Sequence, residues 1–263
     1  MSDSDQGDQR STSSEADELT TSELHKLFQD DDHQLRQFVE LYRPLCRDQR
    51  QNFVVAHLGQ SLDGRIAAAN GSSRWVTDQE DVVHNHRMRA LFDVVIVGAG
   101  TVRHDDPQLT VREVEGPSPI RVVIDAKRRL GASFKLFNDG EAPTLLLCAM
   151  DEVRGDRHHG QAEIHGIESI DGRLLPSAIL RTLASLGLTR VFIEGGGLTI
   201  SQFLQEGCLD RLQIAVAPVI IGSGRPSISL PEIDDVAAAL RPKVRNFNLG
   251  PDVLFECCFD ESD

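Results

Sequence analysis

Short apolar runs rich in β-branched residues alternate with helical patterns over most of the chain, and this alternation constrains the fold more than any other feature. The runs are Phe53–Leu58, Val94–Val97, Ile120–Ile124, Thr144–Cys148, Val191–Ile193, Leu212–Ile221 and Val253–Phe259. The helical patterns between them are Asp78–Phe92, Leu174–Leu186 and Leu198–Gln205. Strands that alternate with helices pair in parallel, and helices cover both faces of their sheet. The sequence therefore predicts an α/β domain of three layers, with helices on either side of a sheet.

The last two apolar runs have no clear helix between them, except for a weak pattern around Asp234–Leu240. Two strands that follow one another without a crossover helix pair in antiparallel fashion. We therefore expect a mixed, mainly parallel sheet with an antiparallel edge. In open α/β sheets, ligands bind beyond the carboxyl ends of the strands. Those loops are the first place to look for a site.

The charge of the chain excludes several classes of partner. Lys and Arg number 27 against 41 Asp and Glu, which gives a net charge of −14. Broad contact with nucleic acid or an anionic membrane needs a positive face, so neither is expected. The five cysteines form no CxxC pair, and no third ligand is spaced with His158–His159, so no metal site is predicted. With no secretory signal and no long apolar stretch, we expect a cytoplasmic protein.

The N-terminal part of the chain differs from the rest. Residues 1–18 are mainly Ser, Asp, Gln and Glu, and they contain too little apolar surface to offset chain entropy, so we interpret them as a disordered acidic tail. Residues 19–50 contain two helical patterns, one with Leu24, Leu27 and Phe28 and one from Leu35 to Tyr42, which ends before Pro44. We interpret residues 19–50 as a helical appendage or lid and residues 51–260 as the main domain.

Two strand ends are followed by glycine-rich turns. The run at Val191 ends in Glu194, three glycines follow, and a helical pattern with Thr199 and Ser201 begins. Glycines allow close approach of the backbone to a ligand, and a helix N-terminus offers unpaired N–H groups to a phosphate. The second turn, Gly98-Ala-Gly-Thr, fits only the first two positions of a GxGxxG dinucleotide motif. Each turn taken alone is also compatible with an ordinary connection between a strand and a helix.

Two further segments carry polar groups in glycine- or proline-containing turns. Asp105 and Asp106 precede a proline, and Arg112 offers a forked donor for a phosphate, although solvated turn charges explain this segment equally well. In the segment that starts at Ser61, Arg65 lies in a glycine turn, and Trp75 is the only tryptophan. Trp75 is able to stack on a flat ring or to fill the core.

The order of these segments is more informative than any of them alone. SLDGRIA, SRWVT, HRMRALFDVVIVGAGTVRHDDPQLTVR, PIRVVIDAKRRL, VFIEGGG and APVIIGSG follow one another between about residues 53 and 258. Together they resemble the pyrimidine reductases of riboflavin biosynthesis. This resemblance implies a dihydrofolate-reductase-like mixed sheet flanked by helices, a homodimer, and reduction of a ribosylamino pyrimidine 5′-phosphate to its ribitylamino product with NADPH. Neither the HxE nor the PCxxC signature of the zinc deaminase domain found in bifunctional relatives is present, so we expect only the reduction.

The resemblance also implies roles for individual residues. It places NADPH contacts at Gly59, Trp75, Thr101, Asp105, Gly195, Gly196, Gly197, Leu198, Thr199 and Ser201, with Gln202 ending the glycine loop. It places substrate contacts at Ser73, Arg89, Leu109, Arg112 and Glu194. Arg65 matches a position that is Lys or Arg in the family.

We find no base-activated nucleophile in the sequence, and this suits hydride transfer, in which the cofactor supplies the bond chemistry. Glu194, Asp63 and Arg65 are the candidates for a catalytic role, with Glu194 orienting the substrate or relaying a proton and Asp63 or water as the rival proton source. Lys127, Arg128 and Arg129 are candidates for the 2′-phosphate of NADPH, and a solvated turn is the alternative. Two other functions stay open: a reductase of the same fold that acts on another pterin-like or carbonyl substrate, and a non-catalytic nucleotide-binding regulator.

Overall fold

A ten-stranded mixed sheet forms the centre of the fold. A computed structural model of the chain describes residues 32–48, 52–73 and 76–259. The α-helices are α1 Asp32–Arg47, α2 Gln79–Leu91, α3 Ala99–Asp105, α4 Pro176–Ser185 and α5 Gly197–Gln205. The strands are β1 Phe53–Ser61, β2 Arg65–Ala68, β3 Val94–Gly98, β4 Ile120–Ile124, β5 Thr144–Ala149, β6 His158–His159, β7 Ala162–Ile167, β8 Ser169–Ile170, β9 Arg173–Leu174, β10 Arg190–Glu194, β11 Arg211–Ala217, β12 Gly224–Pro226, β13 Lys243–Leu249 and β14 Asp252–Cys258.

The strand order in the sheet is β13-β14-β11-β1-β10-β3-β4-β5-β7-β6. The strands from β11 to β7 in this order pair in parallel. At one edge β14 and β13 are antiparallel to their neighbours, and at the other edge β6 is antiparallel to β7. The predicted mixed, mainly parallel sheet with an antiparallel edge is therefore confirmed. Two short pairs, β12 with β2 and β8 with β9, lie outside the main sheet.

Two hydrophobic cores separate three layers. Alternate residues of β1 serve the two faces, because successive side chains of a strand point to opposite sides. Phe53 and Val55 pack in the core that includes residues of α1, α2 and α3. Val54 and Ala56 pack in the core beneath α4 and α5. The predicted three-layer arrangement is confirmed, and the loops at the carboxyl ends of the parallel strands are available for a site.

Within the described residues, the predicted strands and the three helices predicted between them occur, and their ends differ by a few residues. The run predicted to extend to Ile221 ends as a strand at Ala217, just before Pro218, which has no N–H for a sheet hydrogen bond. The weak helical pattern near Asp234 is a single 3-10 turn at Val236–Ala238. Strands β7 and β13 of the main sheet were not predicted. The first four residues of β13, with sequence KVRNFNL, are exposed. In β7, with sequence AEIHGI, polar residues and a glycine interrupt the apolar pattern.

Helix α1 contributes to the core. Its residues Leu41, Tyr42 and Leu45 are almost fully buried in the core beside Phe53 and Phe247. The helix continues through Pro44, where the sequence pattern predicted its end. Proline removes the hydrogen bond to the carbonyl group four residues earlier, and here the Arg245 side chain donates to that carbonyl, at Glu40, over 3.4 Å.

Arg190 binds the C-terminal end of α1. Its guanidinium donates to the carbonyl of Leu45 at 2.6 Å and to that of Asp48 at 2.9 Å. These contacts satisfy carbonyl groups that a helix end leaves without partners.

The domain boundaries given above stay a prediction, and the predicted disordered tail, the helix around Leu24 and residue Trp75 lie outside the described residues.

Candidate active site

A cleft of about 900 Å³ opens at the carboxyl ends of the central strands. Its walls come from β1, β3, β4 and β10 and from the segments that follow them. Many of the sequence-predicted site residues line it together, namely Gly59, Ser73, Thr101, Asp105, Glu194, Gly195, Gly196, Gly197, Leu198 and Thr199. The cleft therefore lies where the sequence analysis expects ligands to bind, beyond the carboxyl ends of the parallel strands.

The two glycine-rich turns face each other in this cleft. Gly195 and Gly196 have φ values of +64° and +73°, which residues other than glycine rarely adopt. A Cβ atom at Gly196 would lie 3.0 Å from Thr101 Oγ1, and one at Gly98 would lie 2.5 Å from Thr199 Oγ1. The hydroxyl groups of each turn therefore lie against the glycines of the other. A Cβ at Gly100, by contrast, would meet nothing within 4 Å.

Ser201 was predicted to contact the cofactor, but its hydroxyl group has structural partners. It is buried, donates to the carbonyl of Gly197 at 2.6 Å and accepts from the amide of Ser229 at 2.9 Å. Ser201 is not among the residues that line the cleft. Its position indicates that it attaches the segment after β12 to α5.

Glu194 is held by a forked pair with Arg89. Arg89 Nε donates to Glu194 Oε2 at 2.7 Å, and Nη2 donates to Oε1 at 2.5 Å. The third donor of Arg89, Nη1, bonds the carbonyl of Thr110 at 2.8 Å. Burial by itself would lower the pKa of Arg89, but the adjacent Glu194 carboxylate raises it above its usual value. Arg89 thus orients the Glu194 carboxylate, and it is not among the residues that line the cleft.

The other two predicted substrate contacts cluster around Arg89. Arg112 Nη1 donates to Thr110 Oγ1 at 2.6 Å, and the Arg112 amide donates to His86 Nδ1 at 2.9 Å. Burial and the neighbouring arginines Arg89 and Arg112 lower the pKa of His86 to about 4. Leu109 is buried with a φ of +55°. Neither Leu109 nor Arg112 lines the cleft.

Asp63 and Arg65 belong to a loop anchor. The Asp63 carboxylate accepts from the Ser61 hydroxyl at 2.6 Å and from the amides of Ile221 and Gly222 at 3.0 and 2.6 Å. The hydrogen bond from Ser61 and those from the two amides lower the pKa of Asp63 to about 2. Arg65 Nε donates to the carbonyl of Gly222 at 3.0 Å. A carboxylate this acidic is a poor proton donor at neutral pH, and neither residue lines the cleft.

The cleft is lined with more cations than the sequence analysis identified. Of the predicted trio, Lys127 and Arg129 face it, whereas Arg128 pairs with Asp156 at 2.8 Å on another side. The additional lining cations are Arg103, Arg173 and Arg225. Arg225 donates to His104 Nε2 at 3.0 Å, and His104 Nδ1 lies 2.7 Å from the carbonyl of Gly100. No sequence motif connects these residues, because they come from separate loops.

The sequence analysis also missed other polar residues of the cleft wall, among them His57, Asp81 and Asn85. His57 Nε2 lies 3.0 Å from Asp81 Oδ1, which is ion-pair distance, although the two groups are not aligned as a hydrogen bond. Burial by itself would raise the pKa of Asp81, but His57 and Thr77 lower it below its usual value. A histidine within the first apolar run was the available signal. It was overlooked because a lone histidine in a strand usually packs in the core.

The comparisons with known proteins agree with one another. The sequence model of the RibD C-terminal domain matches residues 52–255. The 2,5-diamino-6-ribosylamino-4(3H)-pyrimidinone 5′-phosphate reductase of Methanothermobacter thermautotrophicus is 34% identical over 215 residues, which cover 78% of this chain and 96% of that protein. The riboflavin biosynthesis protein RibD of Aquifex aeolicus is 31% identical over 211 residues, which cover 78% of this chain and 57% of that protein.

A solved structure gives the same result for the fold. The diaminohydroxyphosphoribosylaminopyrimidine deaminase/5-amino-6-(5-phosphoribosylamino)uracil reductase of Thermotoga maritima superposes with a TM-score of 0.67 at 29% identity. The match covers 86% of this chain and 62% of the Thermotoga chain. This chain thus spans somewhat less than two thirds of that bifunctional protein. In the described ranges, no helix combines the length and the apolar character that crossing a membrane requires.

Proposed function

This chain belongs to the RibD C-terminal domain family, and from that premise we propose that it reduces 5-amino-6-(5-phosphoribosylamino)uracil, or the diamino-pyrimidinone analogue, to the ribitylamino product. The observation that carries the proposal is the position of Glu194, which ends β10 in the wall of a cleft that also contains both glycine-rich turns. A flat polar ring and a sugar phosphate both find partners there. Glu194 accepts hydrogen bonds, and the cations of the cleft wall complement a phosphate.

The cleft also suits a nicotinamide dinucleotide. A dinucleotide needs close approach of the backbone, hydroxyl donors and cations, and the glycines at 98, 100 and 195–197 with Thr101 and Thr199 offer the first two. Open space beside Gly100 leaves room where a side chain would intrude. When bound, a dihydronicotinamide supplies the hydride, and the residues of the chain bind and orient both molecules.

We propose that the preferred dinucleotide is NADPH. Lys127, Arg129 and Arg173 line the part of the cleft that follows β4 and contains β9, and they are the cations available for a 2′-phosphate. Replacing Lys127 and Arg129 with Ala is expected to weaken NADPH binding about tenfold, equivalent to ~1.4 kcal/mol, and to leave NADH binding unchanged. Equal losses for the two dinucleotides, measured by fluorescence titration, would remove these cations from the 2′-phosphate site.

For the substrate we retain Ser73 and Glu194 in the cleft wall and Arg112 as a phosphate contact. Among the described residues, the Arg112 side chain bonds only Thr110, so its remaining N–H groups are available to an anion. Arg89 and Leu109 are proposed to support the site through Glu194 and Thr110 instead of touching the phosphate. Trp75 stays a proposed cofactor contact.

The experiment that tests the function follows NADPH absorbance in the presence of the purified chain. Oxidation is expected only when the phosphoribosylamino pyrimidine is added, with the ribitylamino product identified by mass spectrometry. Oxidation with a pterin or a simple carbonyl compound, and none with the phosphoribosylamino pyrimidine, would favour the alternative reductase. Binding of NADPH without any turnover would favour the regulator. Complementation of a riboflavin auxotroph tests the same proposal in cells.

We also propose a homodimer in the cytoplasm. Two apolar side chains of the outer strands, Val244 and Phe255, are 52% and 38% exposed, and this supports contact with a second copy. All five cysteines are free, which agrees with a reducing compartment. Sedimentation equilibrium of the full chain tests the homodimer, and fractionation of cells tests the cytoplasmic location.

A further inference from the structure

A row of polar side chains crosses five neighbouring strands on the sheet face beneath α1 and α2. In register, His57 of β1 pairs with Glu194 of β10 on one side and with Gln213 of β11 on the other. Gln213 pairs with Glu256 of β14, and Glu256 pairs with Arg245 of β13. Residues paired in register point to the same face of a sheet. This polar row therefore runs from the cleft wall to the edge of the sheet, with His57 next to its cleft end.

Hydrogen bonds fix the middle of the row. Gln213 Nε2 donates to Glu256 Oε1 at 3.1 Å, and Gln213 Oε1 lies 2.9 Å from Nε2 of His84 on α2. The other ring nitrogen of His84 lies 2.5 Å from the Tyr42 hydroxyl oxygen. An amide oxygen only accepts, so His84 donates from Nε2 and accepts from Tyr42 at Nδ1. Burial, followed by the charge of His57, lowers the pKa of His84 to about 3, so this imidazole is neutral.

His57 is in a different situation. Its ring lies 5.1 Å from the ring of His84, and its side chain is 2% exposed. Among the described residues, no group forms a hydrogen bond with His57 Nδ1, and Asn85 Oδ1 in the same wall has no partner either. Buried polar atoms are nearly always hydrogen-bonded, so unpartnered ones in a cleft wall point to a ligand. Asp81 lies at the opposite nitrogen of His57, with its side chain 4% exposed.

From this arrangement we propose that His57, paired with Asp81, donates the proton that the substrate nitrogen takes up during reduction. The inference rests on the proposed function. The C1′–O4′ bond of the sugar ring breaks, the amino proton passes to O4′, and C1′ becomes doubly bonded to the amino nitrogen. C1′ then accepts hydride from the dihydronicotinamide. The electron pair of the C=N π bond takes the proton from His57 Nδ1, which forms an N–H bond. The dihydronicotinamide is oxidised to the nicotinamide cation, the imine is reduced to a secondary amine, and neutral His57 regains a proton from solvent.

The charges around His57 favour it over the other candidates. The titratable groups that face it are Asp81 and His84 from α2 and Glu194 from β10, while Gln213 from β11 is neutral. Glu194 is already paired with Arg89, and Asp63 bonds to its own loop. His84 is neutral, so the charge of a protonated His57 is opposed by no second imidazolium and is balanced by the Asp81 carboxylate.

The test is the pH profile of hydride transfer in a single turnover, measured with His57→Gln, Asp81→Asn and wild-type protein. In the wild type, the rate is expected to fall as pH rises and His57 loses its proton. His57→Gln should lower the rate about 100-fold and remove this limb of the profile, since a positioned acid typically contributes 10²–10⁴-fold. Asp81→Asn should shift the limb to lower pH, because a histidine without its carboxylate partner loses its proton more readily.

Two controls make the result decisive. His165→Gln removes an imidazole on β7, outside the cleft, and should leave the rate and its pH profile unchanged. The dissociation constant for NADPH and the urea unfolding of each variant show whether binding and folding are intact. If His57→Gln does not fold, the shift of the limb in Asp81→Asn decides alone.

The possible outcomes separate this inference from the proposed function. A wild-type protein that does not oxidise NADPH with the substrate contradicts the proposed function, and the inference fails with it. A wild-type protein that reacts, together with a folded His57→Gln variant of equal rate and profile, overturns only the role of His57. If the rate of the Asp81→Asn variant falls over the same pH range as in the wild type, the proposed pairing of Asp81 with His57 is wrong.

Discussion

Glu194 illustrates how a single residue acquires its role from contacts that are remote in sequence. Its carboxylate faces the cleft, while both of its oxygens accept from Arg89, which lies more than a hundred positions earlier on α2. The side chains of Arg89 and Glu194 are 9% and 18% exposed. Because both side chains are largely shielded from water, water cannot easily replace either charged partner. The pair therefore restricts the orientation of both side chains.

Arg89→Met should therefore destabilise the protein. The variant leaves Glu194 largely buried without its cation, and we expect the free energy of unfolding to fall by about 3 kcal/mol. Urea denaturation followed by circular dichroism measures the change. Arg181→Met on the exposed surface of α4 is the matched control and should stay within about 0.5 kcal/mol of wild type. If the two variants are equally stable, the pair contributes nothing to folding.

The sequence reveals some site residues and not others for a physical reason. Glu194 and the glycines form one continuous segment, so local pattern and family resemblance both find them. His57 and Asp81 come from different elements, and only the packing of α2 on β1 brings them to 3.0 Å. Arg89 was found, but its partner was not predicted, because pairing across the core leaves no mark on a single chain.

Among the elements, the turn after β3 and the turn after β10 differ in what a methyl group would meet. Gly100→Ala should keep or raise stability by up to about 1 kcal/mol, because alanine favours α3 and nothing lies within 4 Å of the added Cβ. It should weaken dinucleotide binding about tenfold, equivalent to ~1.4 kcal/mol, because the methyl group enters the cleft. Unfolding curves and fluorescence titration measure the two effects.

Gly197→Ala is the comparison for this prediction. Its Cβ would lie 2.3 Å from the carbonyl oxygen of Ser227, so the backbone has to shift, and we expect a loss of about 1–3 kcal/mol in the free energy of unfolding. Equal stability of Gly100→Ala and Gly197→Ala would contradict the close packing of α5 against the segment after β12.

The loop that follows β11 depends on the charge of Asp63. Because the pKa of Asp63 is about 2 in the folded chain, below its usual 3.8, the stabilisation is present above the unfolded value and is lost as pH falls through the folded one. The amides of Ile221 and Gly222 should keep their protection from hydrogen exchange near pH 4 and lose it towards pH 2. Asp63→Asn should lack this protection at every pH. Slow exchange in the variant would contradict the anchor.

The main elements were predictable, since buried parallel strands are continuous apolar runs and amphipathic helices separate them. Strands β7 and β13 were not, because neither has a continuous apolar run, and five of the seven residues of β13 are exposed. Nor was the course of α1 beyond Pro44, where Arg245 of β13 supplies a donor to the carbonyl that proline leaves without a partner. The failures at β13 and at Pro44 concern contacts between α1 and the edge of the sheet that β13 forms.

For the whole molecule, the predicted mixed sheet between helical layers is confirmed by the strand order, and the Thermotoga protein has a similar fold. The resemblance carried this prediction further than periodicity could, because periodicity gives the class of fold and not the order of strands. Helix α1, by contrast, packs in the core on one face of the sheet and forms no layer of its own.

Two truncations test how far the N-terminal region belongs to the domain. Deleting residues 1–18 should leave the melting temperature and turnover unchanged. Deleting residues 1–48 removes the buried side chains of Leu41, Tyr42 and Leu45, and at roughly 1.5–3 kcal/mol each the loss should be about 5 kcal/mol. Differential scanning calorimetry measures the stability of both truncated chains, and NADPH oxidation measures their turnover. A stable, active chain without α1 would show that the helix is dispensable.

The burial of Tyr42 gives the protein a built-in optical probe. The chain has one tyrosine, and burial raises the pKa of its phenol far above the usual range. Phenolate absorbance should therefore stay silent during an alkaline titration until α1 separates from the sheet. A single ultraviolet signal, without any label, then reports when the N-terminal helix leaves its place.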